Sequence, residues 1–455
     1  MNSLFRQCLA VSIAAVFLAC SVCAQAEQWT SIGTLMGNLA RTGIESDGLA
    51  PIGGDQGGKG RAGVEGLVSS KVRSARTGPT TQELAWARTA WSYFEANEDP
   101  RTGLVAAVNN FSSTTLWDEG AYLLALTAAF RLGILSETDA LARLRRVFAS
   151  LEKIALYQGK LPNKVYNTKT LEMTDYTNKP IPNGVGWSAL DIMRLVSGML
   201  VVTQQFPEML PHAQAVINRW DLSLLTADGR FQSIAVDGES KGSFVQEGRI
   251  GYEQYAGVVG LQLGLPVALA AQYQPILRYQ KFHSIHLPAD IRTQATHGVS
   301  SVTTSEPFLL EALEFGWRPE SIPVARAVYL AQVFRFQQSG QLTALSEDHI
   351  KGKPYFAYNA ILVDHTPFVS VTSRRKNVSD KRGISTKASF GWWALMQDNY
   401  AAMLVEAVQH LQSERGWYAG LFESDFSPNE ILTMNTNAVV LEALHYRVFG
   451  PMYRR

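Results

Sequence analysis

The chain has 455 residues, of which 46% are hydrophobic, and its formal net charge is +1. A chain of this size and composition can bury a large core. Its near-neutral charge does not provide the basic surface that nucleic-acid binding requires. After the N-terminal segment, no apolar run approaches the length of a membrane-spanning helix. We therefore expect a globular protein with no nucleic-acid partner and no transmembrane segment.

The first 26 residues have the pattern of a secretory signal peptide. Arg6 supplies the positive charge, Leu9 to Leu18 the apolar stretch, and Ala24-Gln25-Ala26 a cleavage site before Glu27. A lipid anchor at Cys20 is the alternative, but the leucine usually found three residues before such a cysteine is missing. We expect a periplasmic or secreted protein whose signal peptide, residues 1–26, is removed.

All three cysteines, Cys8, Cys20 and Cys23, lie in this segment. The mature chain then has no thiol, which excludes a disulfide framework and a cysteine nucleophile. Residues 27–80 are rich in glycine, most densely from Gly53 to Gly63, and have few aromatic residues. Such a segment buries too little apolar surface to fold by itself, so it is predicted to be a flexible linker.

Residues 81–450 alternate between two kinds of helical segment. Six of them open on a polar or aromatic cluster and are then apolar on every side, which is typical of buried helices, while six others have a charged face. This alternation predicts an all-α chain, an (α/α)6 toroid with six inner and six outer helices and short β insertions in its rim loops. The inner helices would all start at one rim, near Trp117, Trp187, Tyr252, Glu306, Trp392 and Asn435.

Several carboxylates lie at these predicted helix starts. Asp118, Asp191 and Glu306 follow a Ser or Thr by three residues, a spacing that capping can explain. Glu247 and Glu253 flank a Gly-Arg-Ile-Gly turn and have no such partner, so capping does not explain them. The candidate catalytic acids are Glu247, Glu253, Asp118, Glu119 and Asp175, the last in a loop insertion.

Aromatic and polar side chains near the same rim are candidate substrate contacts. Aromatic rings at the mouth of a cleft can stack on sugar faces, although they can equally fill a large core. The candidates are Trp117, Trp187, Tyr252, Tyr255, Arg249, Lys164, Asn163, Glu306, Trp392, Trp417 and Asn435.

Other chemistries lack their motifs. The sequence has no G-x-S-x-G, no phosphate-binding Walker motif, no G-x-G-x-x-G before a helix and no H-E-x-x-H. The histidines cluster only at His283, His286 and His297, where a fourth metal ligand is not evident. We expect neither a metal nor another cofactor.

Several motifs, in order along residues 84–449, resemble an exported bacterial family known only as a domain of unknown function. They include LWDEGAYLLAL, LPNKVYNTKTL, GWSALDIMRL, QEGRIGYEQYAG and LTMNTNAVVLEAL. That family resembles the glycoamylase-like (α/α) toroids, among them endo-β-1,2-glucanases that act on periplasmic glucans. The resemblance implies the toroid fold and a hydrolase.

The expected function is a periplasmic glycoside hydrolase that acts on a bacterial polysaccharide, with a β-glucan as the leading substrate. Cleavage needs one protonated carboxyl group and a second carboxylate. Glu247 or Glu253 is the expected acid, with Asp118, Glu119 or Asp175 opposite it. A monomer that binds an oligo- or polysaccharide is expected.

Two other functions remain open. A polysaccharide lyase would use Tyr252 as base, with Asn163 and Lys164 neutralising a uronate. A glycan-binding or assembly protein of an exopolysaccharide or periplasmic glucan system would need no acid pair.

Overall fold

The structure, a computed structural model, describes residues 78–236, 242–297, 300–396 and 398–454. The predicted signal peptide and all but the last three residues of the predicted linker lie outside these ranges. Helix α1, Thr81–Asn97, opens the folded region. Thr80 and Glu83 form a capping box at its start, each accepting the backbone N–H of the other.

Six inner helices form a closed ring. Each inner helix contacts the next, and the last contacts the first. They are apolar on almost every side because they are surrounded by protein; the second of them buries 13 of its 17 residues. The inner helices are α2 Leu116–Arg131, α4 Ala189–Gln205, α6 Tyr252–Gln262, α8 Glu306–Phe315, α10 Thr386–Met396 and α12 Met434–Phe449. The ring of six predicted from the sequence is confirmed, although Trp392 lies within α10 rather than near its start.

The outer layer contains α1, α3 Glu137–Leu151, α5 Leu210–Ile217, α9 Ser321–Ser339 and α11 Asn399–Val408, and a short helix, α7 Gln294–His297, lies in a loop. Helix α3 shows how these helices pack, since it buries one apolar stripe and exposes its charged face. The sixth predicted outer helix, over residues 266–279, is absent. Pro266 and Pro275 interrupt this segment, which forms turns before strand β8.

The expectation of an all-α chain is not confirmed, because the loops contain seventeen strands in the described residues. They are β1 Ser113–Thr115, β2 Leu156–Tyr157, β3 Leu161–Pro162, β4 Val165–Asn167, β5 Thr226–Ala227, β6 Arg230–Ala235, β7 Ser243–Gln246, β8 Leu277–Phe282, β9 Ile285–Asp290, β10 Val302–Thr303, β11 Glu347–His349, β12 Phe356–Val363, β13 Thr366–Val371, β14 Gly383–Ser385, β15 Gln412–Ser413, β16 Gly416–Phe422 and β17 Pro428–Leu432. The largest strand, β12, pairs antiparallel with β10, β11 and β13. Its register places Tyr358 opposite Glu347.

A buried arginine connects the inner helices inside the ring. Arg194 on α4 is fully buried and forms ion pairs with Glu314 on α8 and with Glu442 on α12, the latter at 2.9 Å. Its guanidinium also donates to the Tyr255 hydroxyl on α6 at 3.0 Å. The guanidinium carbon lies 5.4 Å from the ring centre of Trp117 on α2. One side chain therefore contacts four of the other five inner helices.

Two glycines allow α2 and α4 to approach closely. A Cβ atom at Gly120 would lie 2.4 Å from the Arg194 carbonyl oxygen, and one at Gly198 would lie 2.7 Å from the Gly120 carbonyl oxygen. Both obstacles are backbone atoms, which cannot rotate away. The position of Arg194 in the ring thus depends on glycine at these two positions.

We expect Gly120→Ala to lower the free energy of unfolding by about 2 kcal/mol or more, because the overpacking exceeds the gain in helix propensity. Chemical denaturation of the purified variant measures the loss. Gly78→Ala is the control, since a Cβ atom there meets no atom within 4 Å. Equal stability of Gly120→Ala and the wild type would contradict the close packing of these helices.

Candidate functional site

A cavity of about 390 Å³ lies where the six inner helices begin. The helix starts contribute Trp117, Asp118, Leu190, Asp191, Tyr252, Glu306, Lys387 and Asn435, together with the capping residues Thr115 and Thr433. Loop and strand residues complete the wall, namely Tyr176, Glu347, Asp348, His349, Phe356 and Tyr358. All six first turns thus meet in one polar and aromatic cavity.

Asp118 occupies the first turn of α2. The Thr115 hydroxyl caps this helix by accepting the Asp118 backbone N–H at 3.2 Å, and it lies 2.7 Å from Asp118 Oδ2, to which it donates. Burial raises the pKa of Asp118 to about 6, despite the opposing effect of the Thr115 hydroxyl. Asp118 is therefore mostly ionised at neutral pH.

Asp191 has the corresponding position on α4. The Ser188 hydroxyl caps the helix by accepting the Asp191 backbone N–H at 3.1 Å. Burial, reinforced by the nearby carboxylate of Glu247, raises the pKa of Asp191 to about 8. Asp191 is therefore mostly protonated at neutral pH, so the cavity holds two aspartates in different protonation states.

Glu247 lies behind this helix start, in the loop after β7. Its carboxylate accepts the Ser188 hydroxyl at 2.9 Å, the Leu190 backbone N–H at 3.0 Å and the Ser233 hydroxyl. These three hydrogen bonds fix the position of the Glu247 carboxylate. Glu247 does not line the cavity. It supports the start of α4, whereas the sequence predicted it to be an acid that reaches the substrate directly.

A buried lysine holds part of the acidic wall. Lys387 is 3% exposed, bonds to Glu306 and lies 3.7 Å from Asp348 Oδ1. Burial opposes its charge, but Glu306 and Asp348 outweigh this and raise the pKa of Lys387 above its usual value. Asn435 Nδ2 donates to the second oxygen of Glu306 at 2.7 Å. Lys387 is thus already neutralised by protein carboxylates.

Three other predicted catalytic acids, like Glu247, do not face the cavity. Glu253 is fully buried and forms ion pairs with Arg230 at 3.1 Å and with Arg292 at 2.7 Å, so it stabilises the start of α6. Glu119 is 1% exposed and accepts the Val105 backbone N–H. Asp175 instead forms an exposed turn, in which it accepts bonds from Thr177 and Lys179.

Three predicted tryptophan contacts are core residues. Trp187 packs against Tyr157 and Phe244. Trp392 donates its indole N–H to Ser305, and Trp417 donates to the Trp86 carbonyl. These rings fill the core, the alternative that the sequence had left open.

Three further predicted contacts have structural partners, and a fourth lies beside the site. Tyr255 is buried and donates to Glu314 at 2.8 Å. Arg249 donates to the Gln246 side chain and the Gly248 carbonyl, not to Glu247. Asn163 is fully buried and accepts the Val185 backbone N–H. Lys164 is close enough to Asp191 to lower its pKa. The predicted residues that do line the cavity are Trp117, Asp118, Tyr252, Glu306 and Asn435.

Sequence reasoning missed Asp191 and the strand residues. Asp191 was explained by capping; Ser188 does cap the helix, yet the Asp191 side chain still reaches the cavity. Glu347, Asp348 and Tyr358 come from β11 and β12, and their approach to the helix starts depends on strand register. The available signal was the expectation of short β insertions in the rim loops.

The described ranges contain neither a metal-binding cluster nor a membrane-spanning helix. No three histidine, cysteine, aspartate or glutamate side chains group closely enough to hold a metal ion. In the same residues, no helix combines the length and the apolar character needed to cross a membrane.

We compare the free energy of unfolding of Asp191→Asn with that of the wild type at pH 5 and at pH 8.5. The value for the variant minus that for the wild type should be larger at pH 8.5 than at pH 5. Over this window the folded wild type retains a proton that unfolded Asp191, with a pKa near 4, has released, so wild-type stability falls as pH rises. The asparagine removes this dependence. Urea denaturation at both pH values measures the difference.

Asp175→Asn is the matched control. Hydrogen bonds, first from the Thr177 hydroxyl, lower the pKa of Asp175, so it is ionised in both states throughout this window. Its difference from wild type should not change with pH. A pH-independent difference for Asp191→Asn would show that Asp191 is ionised in the folded protein.

Comparison with known proteins places this geometry in a family. The family model described as "Protein of unknown function (DUF3131)" matches residues 85–450, so the chain belongs to that family. No curated protein sequence matches the chain.

Solved structures share the fold at low sequence identity. A proposed glucoamylase from Bacteroides caccae has a TM-score of 0.60 at 14% identity, covering 82% of this chain and 94% of its own. The endo-β-1,2-glucanase of Chitinophaga pinensis has a TM-score of 0.58 at 11% identity, covering 82% and 93%. A β-1,2-glucanase from Parabacteroides distasonis has a TM-score of 0.59 at 10% identity, covering 82% and 58%. The chain therefore has the glucoamylase-like toroid fold.

Proposed function

We propose that this DUF3131 protein is a glycoside hydrolase in which Asp191 donates the proton and Asp118 is the second carboxylate. The observation that carries the proposal is the placement of both side chains in one cavity, with the pKa of one at about 8 and of the other at about 6. Glycosidic cleavage requires such a pair, one carboxyl protonated and one ionised at the working pH.

The roles follow from these protonation states. Asp191 gives its proton to the glycosidic oxygen as the bond from that oxygen to the anomeric carbon breaks. Asp118 stabilises the positive charge on the sugar and serves as the base or nucleophile that completes hydrolysis. If Asp118 acts as base, it takes a proton from the attacking water, and this proton returns to Asp191 through solvent. If Asp118 acts as nucleophile, Asp191 takes the proton of the water that hydrolyses the glycosyl ester, which releases Asp118 as the carboxylate.

The walls fit a sugar without a negative charge. Trp117 and Tyr252 pack edge to face, with ring centres 5.6 Å apart, and offer apolar surface to a sugar. The buried Oδ1 atom of Asn435 has no hydrogen-bond partner and can accept a sugar hydroxyl. Lys387 is paired with carboxylates, and burial lowers the pKa of His349 to about 4, so His349 is neutral. The described part of the wall thus offers no free cation.

This charge distribution argues against the lyase alternative. A lyase must neutralise a uronate carboxylate, whereas the described wall offers no free cation and carries Asp118, which is mostly ionised at neutral pH and would repel a uronate. Asn163, expected to contact a uronate, is fully buried and does not line the cavity.

We further propose a β-glucan as substrate and the periplasm as location. The first rests on the shared fold with proteins described as β-1,2-glucanases. The second rests on the predicted signal peptide over residues 1–26.

The test is the release of reducing ends from a panel of β-glucans that includes β-1,2-glucan. We expect kcat/KM to rise through about pH 6 as Asp118 ionises and to fall through about pH 8 as Asp191 loses its proton. Asp191→Asn and Asp118→Asn should each lower turnover by about 10²-fold or more.

Asp139→Asn, on the exposed surface of α3, is the control and should retain wild-type turnover. Full activity of both cavity variants would reject the assignment. Unsaturated products from a uronate polymer would favour a lyase, and glucan binding without any cleavage would favour a binding protein.

A further inference from the structure

Glu247 is placed to act on Asp191 without touching substrate. Its carboxylate is fixed by the Ser188 hydroxyl and the Leu190 N–H at the start of α4, and by the Ser233 hydroxyl of β6. The same Ser188 hydroxyl accepts the Asp191 backbone N–H at 3.1 Å. Ser188 therefore lies between the two acids and orders both.

A carboxylate in this position has a predictable effect. Three hydrogen-bond donors hold the Glu247 carboxylate in place, and two neighbouring carboxyl groups cannot both ionise easily. The neighbour with fewer such donors, which burial also holds in its neutral form, then retains the proton. Asp191 is that neighbour, and unlike Glu247 it opens into the cavity.

We propose that Glu247 is a positioning residue whose fixed charge keeps Asp191 in the protonated, proton-donating form at neutral pH. The proposal rests on the proposed function, because it assigns Asp191 the donor role. It replaces the role as direct acid that the sequence suggested for Glu247.

Other charged and titratable groups also face Asp191 and must be considered. Asp118 on α2 acts in the same direction as Glu247, whereas Lys164, between β3 and β4, acts against it. Tyr176 and Tyr358 also lie within electrostatic reach of Asp191. A tyrosine hydroxyl has an ordinary pKa near 10, and burial raises that of Tyr358 further, so both are neutral near pH 8. Glu247 is the only one of these groups that also orders the α4 start through hydrogen bonds.

The experiment compares pH profiles of kcat/KM on the glucan that the wild type cleaves. In Glu247→Gln, the alkaline fall of kcat/KM should move to lower pH by about one unit. Glutamine keeps the shape of the glutamate side chain but removes the negative charge that repels ionised Asp191. Glu247→Asp, which keeps the charge, should restore the limb towards its wild-type position. Lys164→Met should move the limb to higher pH.

A second measurement does not depend on activity. Carbon-13 NMR titration of aspartate-labelled protein, with the Asp191 signal assigned by its loss in Asp191→Asn, follows the carboxyl group directly. The Asp191 titration should move to lower pH in Glu247→Gln and to higher pH in Lys164→Met.

The outcomes separate this inference from the proposed function. If no glucan is cleaved but the Asp191 titration shifts as expected, the electrostatic role holds and the hydrolase assignment fails. If Glu247→Gln is folded and abolishes cleavage at every pH with an unchanged Asp191 titration, Glu247 is itself the donor and the inference is overturned. An unchanged titration with an unchanged pH profile also overturns it.

Discussion

The ring of inner helices depends on one buried cation. Arg194 carries its charge into the protein interior, where an unpaired guanidinium would be very costly. The ion pairs with Glu314 and Glu442 compensate this charge. Burial raises the pKa of Glu442, and the Arg194 guanidinium opposes that rise. Because the partners come from different helices, the arginine fixes their relative positions.

The geometry of the cavity depends on the contacts of Arg194. Trp117 packs against the Arg194 guanidinium and also lines the cavity. The same side chain therefore connects the centre of the ring to the site. Gly120 and Gly198 then determine how close α2 and α4 come, and these helices carry Asp118 and Asp191. The distance between the two acids is thus set by backbone packing, which is more rigid than a loop.

The sequence predicts the ring because its signals are local. Apolar helices with polar starts are visible in one segment at a time, and Asp118, Trp117, Tyr252, Glu306 and Asn435 were all found at such starts. The remaining residues depend on long-range contacts. Glu253 is paired with Arg292, and Glu347 lies opposite Tyr358. In both cases the partner is distant in sequence, so the sequence near the acid does not reveal it. Asp191 was missed for a different reason. It lies in the capped first turn of α4, and its side chain nevertheless faces the cavity.

The most direct test of the hydrolase assignment is a crystal structure of Asp191→Asn with a bound β-1,2-linked glucan oligosaccharide. The account predicts that the sugar lies at the six inner-helix starts, with a glycosidic oxygen within hydrogen-bond distance, about 3 Å, of the substituted side chain. Asp118 should lie across the anomeric carbon from it. An oligosaccharide bound away from these helix starts, or one whose linkage oxygen contacts Glu247 instead, would contradict the account.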